Sequence, residues 1–213
     1  MEFSITNTEV NGLDRSVVAS GNSYRTFMRS VDDLEDKDWT RADKLGAVPA
    51  GSGHDSFLNG ITVIMDVNAP LYWWKQAQRY HWLEFISSQS TMHCITKFKI
   101  SDHCVANTDD RIVAIVEEMV DKYNRDSEWS KQYKANGAQL PAEFTKKHEA
   151  DWQKIIASLP CGFCLGATMV TNYRQIKTMC LQRKNHHLKE WKVFIEWAVS
   201  LPHFTELTGI TAD

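Results

Sequence analysis

The apolar residues along the chain fall into patterns that predict both strands and helices. Three segments have the short apolar or alternating pattern that is typical of strands: Phe3 to Val10, Ile61 to Val67 and Phe163 to Thr171. The segment from Ile61 is rich in β-branched residues, which indicates a central strand. The pattern from Leu83 to Ser90 leaves the choice between strand and helix open.

Apolar stripes at helical spacing predict the main helices. The clearest stripe runs from Asp110 to Tyr123, with apolar residues every three or four positions. Asp14 is expected to cap a helix that follows the first strand. The segment from Ser30 to Lys44 is acidic and mixed, and the glycines and proline after it predict a loop. Another helix is predicted to begin at Asn68-Ala-Pro70. Three more are predicted at Ala142 to Ser158, Asn172 to Gln182 and Leu188 to Leu201.

Strands and helices do not alternate regularly along the chain, so the predicted fold class is α+β, with a mixed or antiparallel sheet and flanking helices. With 213 residues the chain has room for one sizeable core or two small ones, and we expect a single domain covering residues 1 to 213. Aromatic side chains at helical spacing, Trp191, Phe194 and Trp197, are expected to pack in the core or at a subunit interface.

Composition and charge exclude some classes of function. A net charge of -3 argues against a protein that coats a nucleic-acid polymer, because such a protein needs a basic face. No apolar stretch approaches the roughly 20 residues that span a bilayer, so we expect no membrane protein. Five cysteines form no disulfide framework, and no apolar signal segment begins the chain. These features favour a reduced, cytoplasmic protein.

The last third of the chain carries the best candidate chemistry. The apolar run from Phe163 to Val170 is followed by a segment with a local excess of basic residues, which contains Asn172, Arg174, Arg183, His186 and His187. An amide, guanidinium groups and an imidazole in one place can bind an anion or an electron-rich ring through charge-assisted hydrogen bonds. This segment therefore predicts an anion pocket.

Other candidates are weaker when each is taken alone. Gln76 and Arg79 are three positions apart on the helix after Pro70, where a solvated helix face is the simpler interpretation. His54 lies in a glycine-rich loop that can meet a phosphate or a ring. No ligand spacing supports a metal site, and the sequence lacks both GxSxG and GxGxxG.

Taken together and in order, these pieces resemble the flavin-dependent thymidylate synthases from about Ser16 to Leu201. Gly53-His54, the strand from Ile61 and Asn68-Ala-Pro70 match that family's Gly-His loop, strand and helix start. Gln76 and Arg79 keep the family's spacing, and Arg183 and His187 fall on its pyrimidine-binding arginine and a flavin-contacting histidine. The matching positions lie at fixed spacing, which is more specific than any one of them.

The sequence departs from the family motif Arg-His-Arg-x-x-Ser-x-Asn-Glu-x-Ser-x-Arg-Tyr, of which only the first arginine, Arg79, is retained. The family's phosphate-binding arginine is replaced by Thr91, a serine by Gln89 and a second phosphate-facing arginine by Ile156. Lys154, Arg174 or the serines from Ser88 to Ser90 are candidates to replace the lost contacts. The pattern is similar to a divergent, phage-type branch of the family, which would act in the host cytoplasm.

The resemblance implies a homotetramer with FAD in active sites at subunit interfaces, NADPH as reductant and methylenetetrahydrofolate as carbon donor. The implied reaction is flavin-dependent transfer of a one-carbon unit to C5 of a pyrimidine deoxynucleotide, either dUMP or a variant base. The alternative is a non-catalytic descendant of the fold that binds a nucleotide or a protein partner. The implied roles are catalysis for Arg183, flavin binding for His54, Arg79, His81, Asn172 and His187, and substrate binding for Gln76, Ser88, Ser90 and Arg174.

Overall fold

The structure, a computed structural model, describes residues 1–212. Its strands are β1 (Ser4–Asn11), β2 (Thr62–Pro70), β3 (Glu84–Ser88) and β4 (Cys164–Asn172). Its α-helices are α1 (Leu13–Ala19), α2 (Asp36–Gly46), α3 (Leu71–Ala77), α4 (Thr91–Cys94), α5 (Ile100–His103), α6 (Asp110–Ala135), α7 (Ala142–Ser158), α8 (Tyr173–Arg183), α9 (Lys189–Val199) and α10 (Phe204–Thr208).

The strands form an antiparallel sheet in the order β1-β2-β4-β3. The three predicted strands are present as β1, β2 and β4. Alternate side chains of β2 are buried, among them Val63, Met65 and Val67, as expected for a strand with one face on a core. The ambiguous segment from Leu83 to Ser90 contains the strand β3, which lies at the edge of the sheet and is exposed along its whole length.

The contacts within the chain group its residues into two compact units. The helical unit consists of Met1–Glu2, Asn68–Trp74 and Ser88–Gly166. The sheet unit consists of Phe3–Val67, Lys75–Ser87 and the described residues 167–212.

The helical unit packs around apolar side chains from α5, α6, α7 and the start of β4. Its fully buried residues include Ile100, Val116, Ile155 and Phe163. The predicted helix from Asp110 is longer than its apolar stripe, because α6 continues past Tyr123 to Ala135. Polar contacts and aromatic rings replace the stripe in this extension. Asp126 pairs with Lys122, and Trp129 stacks on Tyr133 and contacts the tilted ring of Phe144.

Two local predictions in the sheet unit need correction. The cap of α1 is Gly12, in the left-handed conformation with φ 79°, and Asp14 lies inside the first turn. Glycine adopts this conformation without the strain that a Cβ atom introduces. The acidic segment from Ser30 to Lys44, for which the sequence predicted no element, contains the helix α2.

Asp38 explains why this acidic segment packs against the protein. The residue is fully buried, and its carboxylate accepts hydrogen bonds from Arg25 at 2.7 Å, Arg29 at 2.9 Å and Arg41 at 2.6 Å. A buried carboxylate is stable only when it is paired in this way. From the sequence alone, Asp38 would be expected on the surface. The three arginines compensate for the cost of removing its charge from water.

The stability of the sheet unit should depend on Asp38 in acid. Burial alone raises the pKa of its carboxyl, but the hydrogen bonds from Arg41 and the Glu35 amide and the charges of Arg29 and Arg41 outweigh burial and lower that pKa from 3.8 to about 2. The carboxylate thus contributes about 2 kcal/mol to the free energy of unfolding above about pH 4, which is lost as the pH falls through 2.

Urea unfolding between pH 2 and pH 5 measures this contribution. In the wild type, the free energy of unfolding should fall as the pH is lowered through this range, and Asp38→Asn should lose the part of that fall that comes from Asp38. Asp36→Asn, on the exposed face of the same helix, should keep it. An identical pH dependence in wild type and Asp38→Asn would contradict the assignment.

Candidate functional site

The guanidinium of Arg183 is held in one orientation at the end of α8. Its Nε donates a hydrogen bond of 2.7 Å to the Tyr80 hydroxyl. Its central carbon lies 4.8 Å from the ring centroid of Trp191 and 5.4 Å from that of Tyr80, within the range of cation–π attraction. The two terminal amino groups form no hydrogen bond with residues 1–212. Arg183 therefore presents two oriented donors on its outer edge.

Gln76 joins the same group through Trp191. The indole Nε1 of Trp191 donates a hydrogen bond of 3.0 Å to Gln76 Oε1. Trp191 is fully buried and packs edge to face on Phe194 and Tyr80. Phe194 is also buried and contacts the partly buried Trp197, so the three aromatic residues of α9 pack as predicted. The structure thus brings two predicted site residues, Gln76 and Arg183, to one buried indole.

His186 lies beside this group with a ring that favours the neutral state. Desolvation lowers its pKa, and the positive charges of Arg183 and His187 lower it further. Its Nδ1 accepts a hydrogen bond of 3.1 Å from the Leu188 amide, which fixes the turn before α9. His186 therefore adds no positive charge beside Arg183 at neutral pH.

A second group of charges surrounds Asp55 in the loop before β2. The carboxylate is buried and accepts hydrogen bonds from Arg174 Nε at 3.0 Å and from Lys177 Nζ at 3.2 Å. Lys177 is only 2% exposed, and it also donates to the carbonyl oxygens of Gly46 and Val48. As in Arg183, only the Nε of Arg174 is occupied, so its terminal amino groups remain available as donors.

These terminal groups face a cleft of about 210 Å³, which we call the Asn172 cleft. Two residues predicted for the site, Asn172 and Arg174, line it together with Asp55 and Trp82. Asn172 also caps α8, because its Oδ1 accepts a hydrogen bond of 2.9 Å from the Gln175 amide. Its side-chain amide nitrogen is then the atom that can donate to a ligand.

The capping role of Asn172 can be separated from its role in the cleft. Asn172→Ala should lower the free energy of unfolding by about 0.5–2 kcal/mol, the usual cost of losing a cap. Asn172→Ser keeps an oxygen that can cap the helix but removes the amide donor, so it should retain most of the stability. Urea unfolding of the two variants tests this difference, and equal losses would show that the cap contributes nothing.

Arg174 and Arg183 lie at opposite ends of α8. Nine positions correspond to about two and a half helical turns, which puts the two side chains on opposite sides of the helix and about 14 Å apart along its axis. The two arginines therefore start from opposite ends and opposite sides of α8.

The remaining predicted residues of the sheet unit are exposed. The side chains of His54, Arg79 and His187 form no hydrogen bond or ion pair with the residues that the structure describes, and the His81 ring packs on Trp82 at 5.0 Å. Arg79 directly precedes Tyr80, so its backbone lies one residue from the anchor of Arg183.

In the helical unit, Ser88 ends β3 and is exposed, whereas Ser90 is the cap of α4. The Ser90 hydroxyl accepts a hydrogen bond of 3.3 Å from the His93 amide. Ser90 therefore has a structural role in addition to its predicted role in substrate binding.

Within residues 1–212 no His, Cys, Asp and Glu side chains are grouped in a way that could bind a metal ion. None of the helices described combines the length and apolarity needed to cross a bilayer.

Sequence reasoning missed Tyr80, Asp55 and Lys177. Tyr80 lies 103 positions from Arg183, and Asp55 lies 119 positions from Arg174, so no local pattern connects the partners. Lys177 did carry a signal, because it is three positions after Arg174 on the same helix and therefore on a neighbouring part of its surface.

Comparison with known proteins gives the fold. No protein-family model and no curated protein matches the sequence. A crystal structure of the flavin-dependent thymidylate synthase ThyX from Helicobacter pylori, complexed with FAD and dUMP, matches with a TM-score of 0.67 at 14% identity, over 99% of each chain. A second structure of ThyX from Helicobacter pylori with FAD and dUMP has a TM-score of 0.65 at 14% identity, over 97% of this chain and 95% of the other. The chain therefore has the α+β fold of flavin-dependent thymidylate synthase, as the sequence predicted.

Proposed function

We propose that this protein is a flavin-dependent enzyme that transfers a one-carbon unit to C5 of a pyrimidine deoxynucleotide, either dUMP or a variant base. NADPH would be the reductant and methylenetetrahydrofolate the carbon donor. The observation that carries the proposal is the guanidinium of Arg183, which Tyr80 and Trp191 hold in place while its terminal amino groups form no hydrogen bond with the described residues. The fold shared with ThyX bound to FAD and dUMP supports the choice of ligands.

Arg183 can activate a pyrimidine ring for attack from C5. As C5 becomes nucleophilic, negative charge moves onto the ring and its carbonyl oxygens, and a fixed guanidinium stabilises that charge. The support from Tyr80 and Trp191 reduces the reorganisation that this stabilisation would otherwise require. Gln76, held by Trp191 through its oxygen, has its amide nitrogen available to bind the nucleotide.

Among the described residues of the sheet unit, Cys180 is the one cysteine, and it is not a suitable nucleophile. Cys180 lies one turn before Arg183 on α8, but burial raises the pKa of its thiol to about 12. A thiol with that pKa is almost fully protonated at neutral pH and does not attack a pyrimidine ring. Charge stabilisation by Arg183 is therefore the form of activation that these residues support.

The Asn172 cleft fits part of a flavin cofactor. Its donors, the amino groups of Arg174 and the amide of Asn172, suit the polar edge of a flavin ring or a phosphate. Its volume of about 210 Å³ is below the roughly 300–1,000 Å³ of ordinary ligand pockets, so this cleft alone does not enclose FAD. Reduced FAD, when bound, would supply the hydride.

We propose a homotetramer because two features of the single chain do not suit a complete FAD site. One cleft is too small for FAD, and Arg174 and Arg183 lie on opposite sides of α8. Contacts between protomers would enlarge the cleft and allow arginines from different chains to meet one ligand. His54, Arg79, His81 and His187 are exposed and thus available to such a shared site.

One observation favours the alternative of a non-catalytic descendant. Thr91 and Ile156 are uncharged where the family that the sequence resembles has phosphate-binding arginines. Two lost charged hydrogen bonds, at roughly 1.5–3 kcal/mol each, weaken the binding of a phosphate about 10²- to 10⁴-fold unless other groups replace them. In the enzyme we propose, either Arg174, or Lys154, or the serines from Ser88 to Ser90 replace them.

Two measurements on the purified protein distinguish the alternatives. The first is the visible absorption spectrum before and after addition of FAD, which should show bound flavin. The second is tritium release from C5-labelled dUMP in the presence of FAD, NADPH and methylenetetrahydrofolate. Flavin binding without release would support the non-catalytic descendant or a variant base, which labelled deoxycytidine monophosphate would identify. A protein that binds no flavin would refute the proposal.

A further inference from the structure

The helical unit contains a cavity that none of the candidate site residues lines. It lies between α6 and α7, measures about 390 Å³ and falls within the usual range of small-molecule sites. We call it the hairpin cavity. Its lining residues are Tyr123, Ser130, Lys134, Leu140, Phe144, Thr145, His148, Glu149 and Trp152.

Aromatic rings form the inner part of the hairpin cavity. His148 is stacked between two of them, with ring centroids 4.0 Å from Tyr123 and 5.5 Å from Phe144 and interplanar angles of 7° and 14°. Trp152 packs against the apolar core of the helical unit. A cavity with this lining favours a flat apolar ring over a charged or flexible group.

His148 leaves one buried polar atom without a partner. Its Nε2 is 2.9 Å from the Ser127 hydroxyl, whereas its Nδ1 is buried and has no hydrogen-bond partner among the described residues. An unsatisfied buried nitrogen costs free energy, so the position of this ring depends on its stacking against Tyr123 and Phe144 and on its contact with Ser127.

Two opposite charges complete the lining. Lys134 lies in the last turn of α6 and Glu149 lies on α7, and both side chains are exposed. Neither forms an ion pair with the other or with any described residue. A ligand that carries both a carboxylate and an ammonium group complements this pair.

We propose that the hairpin cavity binds a zwitterionic aromatic compound of the size and charge of a free aromatic amino acid. The ring lies among Tyr123, Phe144 and Trp152, the carboxylate binds Lys134, and the ammonium group binds Glu149. This proposal is independent of the function proposed for the sheet unit.

Calorimetric titration of the full-length protein with four probes tests each part of the proposal. L-Phenylalanine carries the ring and both charges, 3-phenylpropionate lacks the ammonium group, 2-phenylethylamine lacks the carboxylate, and L-leucine lacks the aromatic ring. Phenylalanine should bind one to one. Loss of either charge should weaken binding by up to about fivefold, the range of an exposed ion pair, and leucine should bind most weakly.

Variants locate the bound probe. Thr145→Trp fills the cavity from an exposed position and should abolish phenylalanine binding, while Lys134→Ala should weaken it by up to about fivefold. Lys131→Ala is the matched control, since Lys131 lies on the same helix and pairs with Glu128 outside the cavity. The ¹⁵N resonance of His148 Nδ1, identified by its loss in His148→Gln, should shift on saturation.

Three results would overturn the proposal. They are the absence of saturable phenylalanine binding, equal affinity for leucine and phenylalanine, and equal effects of Lys134→Ala and Lys131→Ala. The lysine variants change exposed side chains, so this comparison remains valid even when Thr145→Trp fails to fold.

Discussion

Replacing Arg183 with alanine is expected to lower turnover about 100- to 1,000-fold while the protein stays folded, which is the usual effect of removing one group that stabilises developing negative charge. Arg183 is half-buried at the end of α8, and its terminal amino groups contribute no hydrogen bond to the fold. Tritium release from C5-labelled dUMP measures the loss, and circular dichroism and thermal unfolding measure the fold.

Three further variants separate the chemistry of Arg183 from its packing. Arg183→Lys keeps the charge but loses the planar fork, so it should recover only part of the activity. Tyr80→Phe removes the hydroxyl that accepts from Arg183 Nε and should lower turnover by less than Arg183→Ala. Lys184→Ala changes the exposed neighbour and should leave turnover unchanged. An Arg183→Ala protein that unfolds would show that the stack on Trp191 and Tyr80 is the main role of this side chain.

The secondary structure was largely predictable because its signals are local. β2 and β4 follow from β-branched and apolar runs, and α7, α8 and α9 follow from apolar spacing between clear stop signals. Two helices show the limit of this reasoning. α2 escaped prediction because its packing depends on a buried carboxylate, that of Asp38, which a pattern of apolar residues does not reveal even though its arginine partners are close in sequence. The second half of α6 escaped prediction because ion pairs and aromatic rings replace the apolar stripe there.

Residues of the candidate site could be predicted only where their spacing along the sequence matches the family motif. Fixed spacing selected Gln76 and Arg183, and the structure brings both to Trp191. The helical pattern of α9 predicted that Trp191 packs, but it did not reveal which polar groups the indole contacts. The partners of Arg174 and Arg183 come from distant segments, and such pairings are decided by tertiary packing.

The arrangement of the arginines changes the picture of the site. The sequence predicts that Arg79 and Arg183 contribute to one site. The Arg79 side chain is exposed, and the guanidinium of Arg183 binds the hydroxyl of Tyr80, the residue after Arg79. Arg174 and Arg183 start from opposite sides of α8, so the proposed function uses arginines from several chains around each ligand.

Asp55→Ala is expected to have the largest effect on stability, lowering the free energy of unfolding by about 3–5 kcal/mol. The reason is Lys177, which is 2% exposed and would remain as a buried ammonium group without its carboxylate. The carbonyl oxygens of Gly46 and Val48 would still accept its hydrogen bonds, but they carry no full charge. Urea unfolding at neutral pH measures the loss.

A double variant tests whether the uncompensated lysine is the cause. Asp55→Ala combined with Lys177→Met removes both buried charges, and methionine fills much of the volume of the lysine stem, so the double variant should be more stable than Asp55→Ala alone. Arg174→Ala alone should cost less than Asp55→Ala, because Arg174 is partly exposed and Lys177 keeps its carboxylate. If the double variant is no more stable than Asp55→Ala, the loss does not come from the buried charge of Lys177, and Asp55 then acts mainly by fixing the loop before β2.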